Sequence, residues 1–255
     1  MNQSGDYIGV FDSGLGGISV LRELQKLMPQ ERFLYYGDSA NAPYGTRSTD
    51  CVRQLTLNAA EKIIAQGIKA LVIACNTATA AAITLLREKY PELIVIGIEP
   101  ALKPAADLFP KGRIGVMATE VTLREEKFDT LLHRFDADAT ILKISAPGVV
   151  ELVEAGKGDS SEMKELLSQL LAPYSGKLDA LVLGCTHYPL VRSAIGEILG
   201  SSVTLLDGGE GTARETLRRL TQAGLLHCGP GEIRWENSTG SEEMLALSKR
   251  LLNQQ

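Results

Sequence analysis

Two cysteines stand at matching points of two similar strings, Cys75 in ALVIACNT and Cys185 in ALVLGCTH. Each closes an apolar run and is followed by hydrogen-bonding residues, Asn76-Thr77 in one case and Thr186-His187 in the other. Each is then expected to lead into a helix. A strand end that enters a helix is where α/β folds place reactive groups. A helix N-terminus also lowers a thiol's pKa from its usual value of about 8.5. A lone cysteine at such a place reads equally well as a small buried hydrophobe. Two in repeat phase, each heading a polar loop, favour chemistry. Thiols titrate close enough to neutral pH to serve as base or as acid. A pair on opposing halves suits a reaction on both faces of one carbon. One thiolate removes a proton, the other thiol returns one from the far side, and exchanging the roles reverses the reaction.

Each thiol needs a group that manages its proton. Asp12 ends the first apolar run, in FDSGLGG, and could also cap the helix that follows. His187 lies two residues after Cys185. Glu154, in ELVEAG, is a candidate carboxylate for His187, although a solvated helix face would also explain it. The glycines from Asp12 to Gly17 expose N–H groups suited to an anion. With Asp38 downstream, the same loop admits a dinucleotide site as a rival. Against that rival, residues 118–124 of the second half contain no glycine, and a dinucleotide leaves the paired cysteines unexplained. The pattern GxxxxGK[ST] does not occur, which excludes a P-loop. Asn41-Ala42-Pro43-Tyr44-Gly45-Thr46 reads as a polar turn. Without Lys or Arg clusters in these motifs, a small anion would be held by backbone N–H groups and Ser, Thr and Asn side chains. Cys51, Cys228, His133 and His227 lie in no motif and are left out of the site.

Strands are expected at Ile8–Phe11, Phe33–Tyr36, Ala70–Cys75, Ile94–Ile98, Ile114–Met117, Ile141–Ile144, Ala180–Cys185 and Val203–Leu206. Most are apolar at consecutive positions, the mark of strands buried on both faces. Ile18, Leu21, Leu24 and Met28 share one face of a helix that Pro29 stops. A second helix is expected from about Asp50 to Gln66, capped by Gly67. This alternation implies parallel sheets covered by helices. IGVFDS at Ile8 echoes IGVMAT at Ile114, the two cysteine strings repeat as above, and Glu99 is echoed by Asp207. These landmarks lie 106, 110 and 108 residues apart, a near-constant phase that indicates an internal duplication. The expected fold is α/β, with two similar doubly wound parallel-sheet domains and the active site in the cleft between them, beyond the strand ends.

Composition narrows the class. With 255 residues, 44% of them hydrophobic and 22% charged, the chain can bury a large core and is not disordered. A formal net charge of −5 argues against a nucleic-acid partner. No apolar run reaches the ~18–20 residues of a membrane helix, and MNQSGDY does not open like a secretory signal. A cytoplasmic protein is expected, with no membrane partner. The four cysteines contain no CxxC pair, so they are expected to be free thiols rather than zinc ligands.

FDSGLGG, YGDSANAPYG, ACNTATA and GCTHYPL, in this order and spacing, resemble the glutamate racemase family. The resemblance covers essentially the whole chain, including EIRWENSTG. It implies a cofactor-independent racemase, without metal, that interconverts L- and D-glutamate and supplies D-glutamate for peptidoglycan. Cys75 and Cys185 then match the catalytic thiols, Cys75 acting on D-glutamate and Cys185 on L-glutamate. Asp12 matches the carboxylate near the first thiol, and His187 with Glu154 the pair near the second. Asp12, Ser13, Tyr44, Gly45, Asn76, Thr77, Thr186 and His187 match substrate-binding positions. The chain would cross twice between domains, residues 1–98 with 207–255 forming the first and 99–206 the second, and a homodimer is compatible. The family's common Gly-Thr pair is replaced by Ala118-Thr119, with Thr122 also at hand. An aspartate racemase, a non-catalytic two-lobed amino-acid-binding protein and an NAD-binding oxidoreductase remain the alternatives.

Overall fold

A computed structural model of the chain describes residues 5–124, 130 and 139–254. Its nine described strands form two wholly parallel sheets. The first contains β1 (Tyr7–Asp12), β2 (Arg32–Gly37), β3 (Ile68–Ile73), β4 (Ile94–Gly97) and β9 (Glu232–Asn237) in the order β4-β3-β1-β2-β9. The second contains β5 (Arg113–Ala118), β6 (Thr140–Ser145), β7 (Ala180–Leu183) and β8 (Thr204–Asp207) in the order β6-β5-β7-β8. Read from the other edge, the second order is β8-β7-β5-β6, the same winding as β4-β3-β1-β2. The repeat in the sequence is thus a repeat of topology, with β9 added to one copy. In register, Phe11 pairs with Ile73 as Met117 pairs with Leu183, so the ends of β1 and β3 correspond to those of β5 and β7.

Both sheets are sandwiched. On one face of the first lie α1 (Ile18–Leu27), α9 (Gly209–Ala223) and α10 (Glu242–Asn253), closing a core that includes Ile8, Val10, Leu21, Leu24 and Val72. On the other lie α2 (Thr49–Ile64) and α3 (Asn76–Lys89), over Phe11, Leu34, Leu71 and Ile73. The second sheet is covered by α4 (Leu102–Leu108) on one side. On the other side lie α6 (Val149–Glu154), α7 (Ser161–Leu171) and α8 (Arg192–Leu199). The short α5 (Glu120–Arg124) follows β5. Burial on both faces explains the consecutive apolar positions in the central strands. Local signals act as expected. Ile18, Leu21 and Leu24 are buried on α1, which ends before Pro29. Ser48 caps α2, and Gly67 takes a φ of 77° just past its end. No helix among the described residues is long and apolar enough to cross a membrane.

Three expectations need correction. Ala70–Cys75 and Ala180–Cys185 are too long as strands, because β3 ends at Ile73 and β7 at Leu183. Both cysteines lie in the loops beyond, where the chain leaves the sheet. Glu232–Asn237, quoted only as a motif, is a strand. It is a polar edge strand, EIRWEN, whose half-buried pattern lacks the apolar run of the others. A charged anchor helps to place the segment before it. The Lys69 ammonium donates to Glu31 Oε2 at 2.6 Å and to the Leu225 carbonyl at 2.8 Å, while Glu31 Oε1 accepts the His227 N–H at 2.9 Å. Both charged side chains are buried, so each is the other's compensation. His133 lies outside the described residues.

Candidate active site

The site forms where the C-terminal ends of β1 and β3 meet the loop after β7. Asp12, the last residue of β1, is fully buried. Its Oδ1 accepts the Gly14 N–H at 3.0 Å, and its Oδ2 accepts the Thr186 hydroxyl at 2.9 Å. The second bond joins the two halves of the repeat. Burial raises the Asp12 pKa, and the positive charge of His187 and these two hydrogen bonds restrain the rise.

Cys75 is the N-cap of α3, and its Sγ accepts the Ala78 N–H at 3.4 Å. The Ser13 hydroxyl lies 3.4 Å away on the other side. The helix N-terminus does not win here. Burial pushes the thiol up to about 12, the Asp12 charge adds to that, and contacts with Ser13 and Ala78 recover only part. In this closed site Cys75 is therefore a protonated thiol at neutral pH, contrary to the expectation of a lowered pKa.

Cys185 is supported differently. The chain after it forms a 3-10 turn at Tyr188–Val191, and α8 begins only at Arg192. The expected helix start beside the second thiol is absent. Its place is taken by His187, whose Nδ1 is 3.7 Å from the Cys185 sulfur. His187 Nε2 meets Glu154 Oε1 at 2.7 Å. Burial works to lower the His187 pKa, but the hydrogen bonds and charges of Cys185 and Glu154 outweigh it and hold the ring well above its usual range. An imidazolium in this position is the charge that a thiolate needs beside it. Glu154 also accepts the Leu15 N–H at 2.6 Å and the Ser39 hydroxyl at 3.0 Å. It is thus a member of the site rather than part of a solvated face.

The glycine loop has a different use from the one its pattern suggested. A Cβ on Gly14 would fall 2.0 Å from Glu154 Oε1, and one on Gly16 would fall 2.4 Å from His187 Nδ1. One on Gly17 would fall 2.5 Å from the Asp12 Cβ. These glycines let the first half close directly onto His187 and Glu154. The anion that the loop receives is the protein's own carboxylate, so no room is left there for a pyrophosphate.

The remaining predicted contacts cluster at the same place. Tyr44 is buried in a 3-10 turn, following a cis Ala42–Pro43 peptide, and donates to Asp38 Oδ2 at 2.6 Å. That bond occupies Asp38 within its own loop. Gly45 packs on Thr119, which a Cβ would approach to 2.7 Å. Thr77 Oγ1 is 3.2 Å from the hydroxyls of both Thr119 and Thr122, another contact between the halves. The Asn76 amide oxygen is buried without a hydrogen-bond partner among the described residues, an acceptor left for a ligand's N–H. Cys51 is half-buried and Cys228 exposed, and both are free thiols. His227 pairs with Asp6 at 3.0 Å, at the far end of the first sheet. Sequence reasoning missed Ser39, Tyr35 and Asn237. Ser39 stands inside the quoted YGDSANAPYG, but nothing in its type marked it. The fully buried Tyr35 donates to the Gly14 carbonyl at 2.7 Å, and its apolar neighbours made it look like core.

The chain is similar to known racemases in sequence and in fold. Residues 8–216 match the family described as Asp/Glu/Hydantoin racemase. The glutamate racemase of Clostridium acetobutylicum is 48% identical over 256 residues, covering 99% of this chain and 100% of that protein. The structure of glutamate racemase isoform RacE1 from Bacillus anthracis superposes with a TM-score of 0.87 at 35% identity, covering 98% of this chain and 95% of that one. The Escherichia coli glutamate racemase, solved with L-glutamate and the activator UDP-MurNAc-Ala, superposes with a TM-score of 0.83 at 30% identity, covering 96% and 94%.

Proposed function

We propose that this chain, which belongs to the Asp/Glu/hydantoin racemase family, interconverts L- and D-glutamate by direct proton transfer between two thiols, supplying D-glutamate for peptidoglycan. The observation that carries the mechanism is the pair of buried cysteines at matching strand ends, each with its own proton-managing partners: Asp12 and Ser13 for Cys75, His187 and Glu154 for Cys185. The choice of glutamate is supported by the named relatives and by the L-glutamate held in the Escherichia coli structure.

The resting protonation states suit one direction first. Cys75 carries its proton, and the His187 ring beside Cys185 is positive. Cys185 then removes the α-proton of L-glutamate while Cys75 delivers a proton to the opposite face. The product is D-glutamate, and the thiols are left with exchanged roles, ready for the reverse reaction. Both transfers are supplied by this chain's side chains, so the reaction as proposed uses no cofactor. Glutamate's ammonium and carboxylates would meet Ser13, Tyr44, Gly45, Asn76, Thr77, Thr186 and His187. Exclusion of water around both sulfurs strengthens each electrostatic contact at the α-carbon. The same reading divides the chain into 1–98 with 207–255 and 99–206. It also includes a cytoplasmic location, where the thiols stay reduced, and a homodimer.

Incubation with each glutamate enantiomer in D2O, without added cofactor, tests the function. Optical rotation is expected to decay to zero, with one deuterium appearing at the α-carbon. Activity lost on dialysis and restored by a cofactor would overturn the mechanism, and faster turnover of aspartate would move the substrate. Thr186→Ala is expected to cost ~1.5–3 kcal/mol of transition-state stabilisation, the value of a hydrogen bond to a charged group. Wild-type kcat/KM in that variant would remove Thr186 from the machinery.

A further inference from the structure

Glu154 is held from two directions. On one side it receives His187 Nε2 and the Leu15 N–H, and on the other the Ser39 hydroxyl at 3.0 Å. Ser39 Oγ in turn accepts an N–H from Asn237 Nδ2 at 3.1 Å. The orientation of the Asn237 amide follows from its own partners, because its Oδ1 accepts the Thr239 N–H at 3.0 Å and the Thr239 hydroxyl at 2.7 Å. With Nδ2 donating to Ser39, the serine's own proton is directed to Glu154. The bonds therefore run in one sense, from Asn237 to Ser39 to the Glu154 carboxylate. From the other side His187 Nε2 donates to the same carboxylate, so Nδ1 is the nitrogen that faces Cys185. Asn237 ends β9, the strand whose approach is anchored by the buried Lys69–Glu31 pair. Ser238 strengthens the junction, donating its N–H to the Gly37 carbonyl and accepting the Ala40 N–H at 3.0 Å.

Among the described residues the Cys75 sulfur hydrogen-bonds Ser13 and the Ala78 N–H, and its charged neighbour Asp12 is held by Gly14 and Thr186, so the contacts from Ser39 and Asn237 serve the other thiol. We propose that Ser39 and Asn237 are positioning residues for one half-reaction: they hold Glu154, and through it the position and ring angle of His187, for proton removal by Cys185 from L-glutamate. The proposal rests on the two-thiol reading above. It assigns to the C-terminal strand a role in setting the chemistry of a loop in the other half of the repeat.

The test compares Ser39→Ala, Ser39→Thr and Asn237→Ala with the wild type. It measures elimination from the L- and D-forms of a glutamate analogue bearing a leaving group at the β-carbon. Elimination needs only the first proton removal, so each enantiomer reports one thiol. Ser39→Ala is expected to slow elimination from the L-form on the order of tenfold, the effect of one lost hydrogen bond to a charged group. The D-form should stay within about twofold, the spread left by small indirect effects. Asn237→Ala should act in the same direction, and Ser39→Thr, which keeps the hydroxyl, should restore most of the loss. Equal slowing of both enantiomers, or no slowing of either, overturns the proposal. Cys185→Ser serves as the control for the underlying mechanism. If that variant still eliminates from the L-form at the wild-type rate, the two-thiol reading itself fails, whatever the Ser39 variants do.

Discussion

Cys75→Ser is expected to eliminate from the L-form of the β-substituted analogue and not from the D-form, and Cys185→Ser to do the reverse. A serine hydroxyl is far too weakly acidic to stand in for a thiolate base. The affected half-reaction should fall by roughly 10²–10⁴, the usual contribution of a positioned base. Racemisation itself should fail in both variants and in both directions, because each turnover uses both sulfurs. Racemisation cannot reveal the division of labour. The enantiomers have equal free energy, so kcat/KM must be the same from either side in every variant. Elimination is irreversible and escapes this constraint. The surroundings of the two sulfurs also differ. The Cys75 thiol is pushed up to about 12 by burial and by Asp12, whereas Cys185 faces a ring held in its positive form. Cys51→Ser and Cys228→Ser should behave as wild type, since neither cysteine stands at the repeated position that Cys75 and Cys185 share. Equal loss from both enantiomers in each catalytic variant would point to a single base or a structural role.

Gly16→Ala should reduce racemisation by about a hundredfold or more, in line with the sensitivity of catalysis to ~1 Å misplacements. The added Cβ would lie 2.4 Å from His187 Nδ1 and 2.5 Å from Thr186 Oγ1. Neither neighbour can easily retreat. The imidazole is tied at its far nitrogen to Glu154, and the Thr186 hydroxyl is tied to Asp12. The clash therefore forces the two halves apart at the line where the thiols must face each other. Gly16 lacks a positive φ, so alanine is acceptable to the backbone itself. The loss should appear in activity much more than in melting temperature. A Gly16→Ala protein with wild-type turnover would show that the close packing of loop against histidine is dispensable.

Much of this molecule was legible one residue at a time. Eight strands announced themselves by apolar runs, because central parallel strands are buried on both faces and can accept little else. The repeat was visible because both copies put a cysteine at the same strand end. Asp12, His187 and Glu154 were legible as candidate partners because their residue types can move protons. The ninth strand was hidden by its edge position, where half-exposure relaxes the apolar requirement. The glycine loop read as an anion cradle because sequence cannot show what lies opposite a glycine.

What the sequence determined, then, is the set of reactive side chains and the doubly wound frame that carries each of them to a strand end. Tertiary structure alone decided what those side chains experience. Burial, summed over neighbours distant in the chain, raised the Cys75 thiol instead of lowering it. A 3-10 turn replaced the expected helix start after Cys185 and left His187 to supply the positive charge. The contacts from Asn237 through Ser39 to Glu154 span residues 198 and 115 positions apart. A pKa and a hydrogen-bond partner are properties of a place in space, and only folding brings these places together.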